Sequence, residues 1–435
     1  MILETIQDVL EYAEENDVKF VRLAFSDLLG AQKNMAIMSS RLKEAFDRGI
    51  SFDASTINGF SGAAKNDLLL FPDQSTMSVL PWRPQQGKVL RFLCDIKNPD
   101  GSAYACDTRN LLKETVKKLA AAGYESKIGT ECDFYFFKTD ASGDPTYITQ
   151  DEGAYLDMAP ADKGENVRRE TCLTLEDVGI RPLSSHHETG PGQNNIDFQY
   201  NDPLSSADGF LTFKAVAKAI AQRNGLYVSF MPRPLNNAAG SGLHVNLSLY
   251  KGGKNLFSEF DKDPSASYFM AGILKRIAEI TAFLNPIYNS YMRLGRDRAP
   301  IYVSWSKQNR AQLVRIPFAR KDTARMELRS PDPAVNPYIA FSLLLSAGLE
   351  GIENKEKLSR PVDQYLEGPS DVSLSKLPDT MGSALEFASK SEFALKTLGK
   401  PAFDKFLEIK KAEAAEFETA EDKFSLSLKK YFRVI

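Results

Sequence analysis

The residues best equipped for chemistry lie on short segments in which polar groups alternate with apolar ones. TECDFYFF, at 130–137, carries Glu131 and Asp133 around Cys132, with Phe134 and Phe136 following. SGLHVNLSLY, at 241–250, carries His244, Asn246 and Ser248 among leucines and a valine, and ARMELRS, at 324–330, carries Arg325, Glu327 and Arg329 around Met326 and Leu328. Side chains alternate across a strand, so each segment shows polar residues on one face and apolar residues on the other. A half-solvated outer strand gives the same pattern, and for any one segment that is the more common origin. Together they say more. Three acids and an imidazole supply hard oxygen ligands and a nitrogen for a divalent ion, and such a cluster repels itself without one. An Arg-Glu-Arg face suits a place where phosphate meets metal, because guanidinium forks match phosphate oxygens and the carboxylate holds the ion.

Further polar residues gather in HHETGPGQNNIDFQY, at 186–200, where His186, His187 and Glu188 precede two glycines and a strand-like run. Its middle reads Asn194-Asn195, two neutral amides where a second carboxylate would make a stronger cation site. NAAGSGLH, at 237–244, is neither a P-loop nor a dinucleotide fingerprint. Gly240 and Gly242 fit a tight turn or a close approach of substrate to backbone N–H groups. WSKQNRAQLVRIP places Arg310 and Arg315 near a tryptophan, and NSYMRLGRDRAP adds Arg293, Arg296 and Arg298. Arg296 and Arg298 read as a solvated run. Arg315, between Val314 and Ile316, is harder to leave in water and suits a cationic clamp for a polyanion such as ATP.

The elements that must position these groups divide into two parts. Residues 1–100 read as an amphipathic helix with Ile6, Val9, Leu10 and Ala13 on one side, then strands VKFVRLAFSD and AQKNMAIM about the turn LLGA, a helix over 39–48, and the strand KVLRFLCDI. From 108 onward longer helices alternate with the polar-faced strands. TRNLLKETVKKLAAAG opens this part, and further helices are expected over 165–178, 209–224, 265–284, 336–353 and 380–431. The chain has 435 residues, with 54 basic against 57 acidic side chains. No global field therefore recruits nucleic acid or an anionic membrane. Four scattered cysteines, an acidic N-terminus and no apolar run longer than IAFSLLLSAGL predict a cytoplasmic protein with no membrane span.

The order FDASTINGF, ECDFYFF, HHETGPGQNNIDF, PLNNAAGSGLHVNLSL, NRAQLVRIP and RMELRSPDPAVNPY resembles type I glutamine synthetases, from near residue 10 to past 400. The resemblance implies an α+β fold, with a small N-terminal β-grasp domain over 1–103. A large catalytic domain over 104–435 follows, an antiparallel-rich sheet with flanking helices. It also implies a homo-oligomer, twelve subunits in two hexameric rings, with each active site completed by the neighbour's N-terminal domain. The implied reaction passes the γ-phosphoryl group of ATP to a glutamate side-chain carboxylate, after which ammonia displaces phosphate. Two divalent ions, Mg2+ or Mn2+, serve it. Mapped by motif, one ion falls to Glu131, His244 and Glu327, and the other to Asp133, Glu188 and Asn195. Catalytic contacts fall to Asp53, Glu188, Arg310 and Arg329, and substrate contacts to Tyr155, Gly240, Arg293 and Arg329. Nucleotide contacts fall to Tyr200, Ser248, Arg315 and Arg325.

This chain departs from the family pattern on the substrate side. Asp133 and Asn195 stand where the family has two further Glu ligands, and Ala239 replaces the Asn that contacts glutamate. In LGRDRAP, one residue shorter than the family's segment, Arg298 stands where a flap Glu closes the site; Asp297 could substitute only in a shifted loop. The sequence therefore predicts an ATP-dependent carboxylate-amine ligase with a remodelled acceptor side. Two other readings remain open: an ordinary glutamine synthetase, and an impaired paralogue kept for structure or regulation.

Overall fold

The computed structural model describes residues 5–60, 67–82, 87–364 and 374–435. Its first helix, α1 (Ile6–Glu15), begins where Thr5 accepts from the Asp8 backbone N–H and the Asp8 carboxylate accepts from the Thr5 N–H, a reciprocal cap. The first four residues of the expected helix lie outside the described residues. α1 buries Val9 and Ala13. The N-terminal sheet contains β1 (Val18–Ser26), β2 (Gln32–Met38), β3 (Ile50–Asp53), β4 (Asp67–Pro72), β5 (Ser78–Val79) and β6 (Lys88–Lys97), with α2 (Leu42–Arg48) between β2 and β3. Its order is β2-β1-β6-β4-β3, with β5 on the side of β6. β1 and β6 run parallel at its centre, as a β-grasp requires. β1 and β2 form the expected hairpin, closed by Asp27, whose Oδ1 accepts from the N–H groups of Leu29 and Ala31.

The larger part begins with α3 (Thr108–Ala121) and the long central strand β7 (Glu125–Thr139), then β8 (Pro145–Thr149), α4 (Glu165–Asp177), β9 (Pro182–His187) and β10 (Gln193–Phe198). It continues with α5 (Pro203–Arg223), β11 (Leu226–Ser229), β12 (Leu243–Lys251), β13 (Lys254–Asn255), α6 (Pro264–Leu284), β14 (Trp305–Ser306), β15 (Val314–Arg315), β16 (Met326–Leu328) and α7 (Pro337–Glu353). Helices α8 (Met381–Ser389), α9 (Glu392–Leu398), α10 (Lys400–Glu418) and α11 (Lys423–Tyr431) close the chain. The helix expected at 209 starts at Pro203, because Asp202 caps Ser205 and proline fits the first turn. The expected helical tail near 380–431 consists of four helices. Gly399, at φ 76°, breaks it between α9 and α10.

The larger sheet has the order β14-β15-β16-β12-β7-β10-β9 and is antiparallel except between β14 and β15. Its apolar face holds Cys132, Phe134, Phe136, Leu243, Val245, Leu247, Met326 and Leu328, all fully buried in one core with α5, α6 and α7. α6 and α7 approach so closely that a Cβ on Gly272 would stand 2.1 Å from the Ala347 carbonyl. The domains are pinned by Arg109 of α3. Its guanidinium pairs with Asp208 of α5 at 2.8 Å and with Asp73 and Asp95 of the β-grasp part, each at 2.9 Å. Among the described residues, no helix is long and apolar enough to cross a membrane.

Candidate active site

Strand register assembles the polar faces. His244 pairs with Glu131, Asn195 with Asp133, and both Asn246 and Arg315 with Glu327, on five adjacent strands. The ligand atoms of Glu131, His244 and Glu327 all lie within 4.8 Å of one another. His244 Nδ1 stands 3.3 Å from Glu131 and 3.8 Å from Glu327, buried and without a hydrogen-bond partner. Burial opposes ionisation of Glu131 most strongly, but His244, Arg329 and His186 together hold the carboxyl down at about 2. Glu327 is likewise held low against burial by His244, Arg329 and Arg315. Two carboxylates and a bare imidazole nitrogen on one partly buried face match the donor set of a divalent-cation site.

A second group lies beside it. Asn195 donates from Nδ2 to Asp133 Oδ1 at 2.8 Å, and the Gly242 N–H donates to Asp133 Oδ2 at 2.9 Å. The Asn195 carbonyl oxygen is buried with no partner. Burial, then the charge of Glu188, pushes the Asp133 carboxyl up to about 6. Glu188 is held by His186 at 3.0 Å and by the Thr189 N–H at 3.1 Å. Asp133, Glu188 and the orphaned Asn195 oxygen suit a cation, with one charge fewer than three carboxylates would bring.

The two histidines of 186–187 divide by face. His186 points to the site, edge-on to Tyr155. His187 points away, its ring between Asp151 at 2.8 Å and the Glu188 carbonyl at 2.6 Å. Asp151, Asp162 and His187 form a second close acidic cluster, but Arg168 already grips Asp162 there. The sequence assigned neither histidine a role. Alternation along β9 and the facing β10 was the signal: His187 pairs with Asn194, also turned into this brace, and His186 pairs with Asn195.

A cavity of about 110 Å³ is lined by Glu131, Asp133, Tyr155, Glu188, Gly240, His244, Arg293, Arg310 and Arg329, and also by Ala239, Asp297 and Arg298. Arg293 is nearly sealed, and its donors go to the carbonyls of Arg329, Ser330 and Pro331. The glycine pair is explained here. A Cβ at Gly242 would stand 2.5 Å from Arg293 Nη2, and one at Gly240 2.8 Å from Arg293 Cγ, so close packing on Arg293 requires both glycines. Neither lies in a turn, and neither adopts the left-handed backbone. Asn195 and Glu327 lie behind the lining.

Tyr200 and Arg325 stack at 5.4 Å, with Arg325 Nε donating to Asn246 Oδ1 at 3.0 Å. They lie outside the cavity wall, as do Arg315 and the buried Ser248. Asp53 is exposed at the end of β3 and is also not in the cavity of its own chain. In the flap, Asp297 (φ 50°) pairs with Arg233 at 2.8 Å, while Arg298 (φ 66°) reaches Thr189 Oγ1 at 3.5 Å, beside Glu188. Asp297 lines the cavity with one carboxylate oxygen engaged by Arg233.

A family model described as glutamine synthetase, catalytic domain, matches residues 105–428, and one described as glutamine synthetase, beta-Grasp domain, matches 17–99. The chain is 43% identical over 433 residues to a glutamine synthetase of Methanosarcina mazei, covering 97% of each. It is 42% identical over 425 residues to one from Clostridium saccharobutylicum, covering 95% of this chain and 96% of the other. A solved GmaS/ADP complex superposes with a TM-score of 0.88 at 29% identity, covering 98% of this chain and 100% of that one. A Plasmodium falciparum glutamine synthetase shares the fold, with a TM-score of 0.86 at 22% identity over 98% and 99% of the two chains.

Proposed function

Since this chain belongs to the glutamine synthetase family and is an ATP-dependent ligase forming C–N bonds, we propose that it joins a small carboxylic acid, glutamate or an analogue, to ammonia or another amine at a remodelled acceptor side. The observation that carries this reading is the contrast between two adjacent groups. Glu131, His244 and Glu327 keep two carboxylates and an imidazole together. Beside them, Asn195 offers an amide where a carboxylate would complete the second group.

In this reading Glu131, His244 and Glu327 would hold one divalent ion, and Asp133, Glu188 and Asn195 would hold a second with one carboxylate fewer. Divalent ions there would supply charge neutralisation for a transferring phosphoryl group. Arg310 and Arg329 face the cavity as counter-charges for phosphoryl oxygens. Arg315 and Arg325, with Tyr200 and Ser248, take the nucleotide, and the Arg325–Tyr200 stack offers a flat cationic surface for a base. Tyr155, Gly240 and Arg293 shape the acceptor end. The acid's carboxylate attacks the γ-phosphorus, ADP leaves, and the amine then displaces phosphate from the acyl phosphate. Asp53 would enter from a neighbouring copy, in an assembly of two hexameric rings. The four free cysteines support a reducing, cytoplasmic setting.

Glutamate and ammonia are the specific alternative, supported by the names of the curated relatives. The deciding experiment measures ADP and phosphate release with Mg2+ or Mn2+ across acids crossed with ammonia, hydroxylamine and alkylamines. A preferred pair other than glutamate and ammonia is expected. Best turnover with glutamate and ammonia restores the ordinary enzyme, and silence throughout alongside measurable ATP binding defeats the ligase reading of this site.

A further inference from the structure

Where β6 of the β-grasp domain faces α5 of the catalytic domain, a cavity of about 520 Å³ shares no wall residue with the one around Glu188. Arg91 of β6 lines it and is only 8% exposed. Its Nη1 donates to Thr212 Oγ1 on α5 at 3.0 Å, while its Nε is buried with no partner. Among the described residues, no carboxylate lies within ion-pair reach of it. Asp208 is the counter-charge acting on it most, and the Asp208 oxygens are already engaged by Arg109 and the Tyr338 hydroxyl. Two other buried arginines have acid partners, Arg109 three carboxylates and Arg168 Asp162, and Arg293, which has none, spends its donors on three backbone carbonyls, whereas Arg91 has the Thr212 hydroxyl. A buried guanidinium lacking such a partner is costly, and an anion would offset that cost.

We propose that this interdomain cavity binds a small organic anion, a carboxylate or a phosphate ester, held by the Arg91 fork. Exposed Arg181 also lines it as a second cation, Phe198 and Phe210 give an apolar wall for a carbon body, and the Asp208 carboxylate in the wall is already neutralised by Arg109. The bound anion bridges the two domains. It also lies against Tyr200, whose ring carries Arg325, so occupancy is placed to act on the nucleotide side from outside the reaction cavity.

The test is thermal unfolding of the full chain with succinate or inorganic phosphate against chloride at equal ionic strength. Two variants accompany it. Arg91→Met removes the fork, and Gly209→Leu fills the cavity from α5, where a Cβ meets nothing nearer than Ile180 at 3.9 Å. At roughly 10 mM, at least one anion is expected to raise the midpoint by about 2 °C or more, and each variant to remove at least half of that rise. Succinate alone indicates a carboxylate ligand, phosphate alone a phosphate. If Arg91→Met does not fold, Gly209→Leu decides. A rise that keeps more than half its size in a folded variant, or no rise with either anion, overturns the site.

Discussion

Asn195 donates its amide N–H to Asp133 at 2.8 Å, across the β10–β7 pair, in place of the repulsion that a carboxylate would create there. The amide stabilises this corner without a cation and leaves less charge for one. Asn195→Glu is therefore expected to lower the melting temperature of metal-free protein, because a third acid joins Asp133 and Glu188 in a buried place. The same variant should bind Mn2+ about tenfold or more tightly, by roughly 1.4 kcal/mol. An unchanged metal titration would show that Asn195 is outside the ion's ligand shell.

Glu327 sits under two arginines, paired with Arg329 and, at 3.4 Å, with Arg315. Glu327→Ala removes a ligand and also leaves both guanidiniums facing His244 without their anion. Phosphoryl transfer is expected to fall by about 100-fold or more, measured as ADP release at saturating ATP. Full activity in this variant would sink the metal assignment of the trio.

Arg109 joins the domains through three carboxylates and is itself almost sealed from water. Arg109→Met leaves Asp73, Asp95 and Asp208 with Lys113 as the remaining cation of the cluster. A loss of about 3–5 kcal/mol is expected in urea unfolding. A loss below about 1 kcal/mol would mean that the network is solvated and worth no more than a surface pair.

Lys214 of α5 lies between the Phe210 and Phe230 rings, its ammonium donating to the Pro333 carbonyl at 2.8 Å. Burial first, then Lys218, pushes its pKa down from 10.5 to about 7. Between these values the unfolded chain binds more protons than the folded one, so this group makes stability rise with pH from about 7 to about 10.5. Lys214→Met should flatten that rise in a melting-temperature profile, with its largest relative gain at or below neutral pH. Parallel profiles for the two proteins would show that the native ammonium is hydrated.

The alternation of polar and apolar residues made the site strands legible, because a buried face constrains every second residue. Which strands pair was not legible: His244 meets Glu131 across more than a hundred residues of intervening chain, and periodicity carries no such distance information. β3 and β4 also escaped notice, being too short to show a period. Gly240 and Gly242 were ambiguous for another reason. Their partner, Arg293, is distant in sequence, so the close contact that excludes a side chain leaves no local mark.

Arg298 and Asp297 both adopt left-handed backbone, next to Gly295, which does so without strain. The turn pairs Asp297 with the buried Arg233 and sets Arg298 beside Thr189. A cation beside Glu188 disfavours an ammonium ion at the acceptor side and favours an anionic or neutral partner. Arg298→Glu reverses that charge without touching the Arg233–Asp297 pair. The ratio of kcat/KM for ammonium to that for an amine carrying a carboxylate should shift toward ammonium by about tenfold, roughly 1.4 kcal/mol. Shortening the side chain in Arg298→Gly relaxes the backbone and should give an intermediate ratio, which separates loss of charge from loss of turn geometry. If Arg298→Glu leaves the ratio unchanged, the flap cation faces solvent during turnover, and selectivity at this end must come from Ala239 and Asn195.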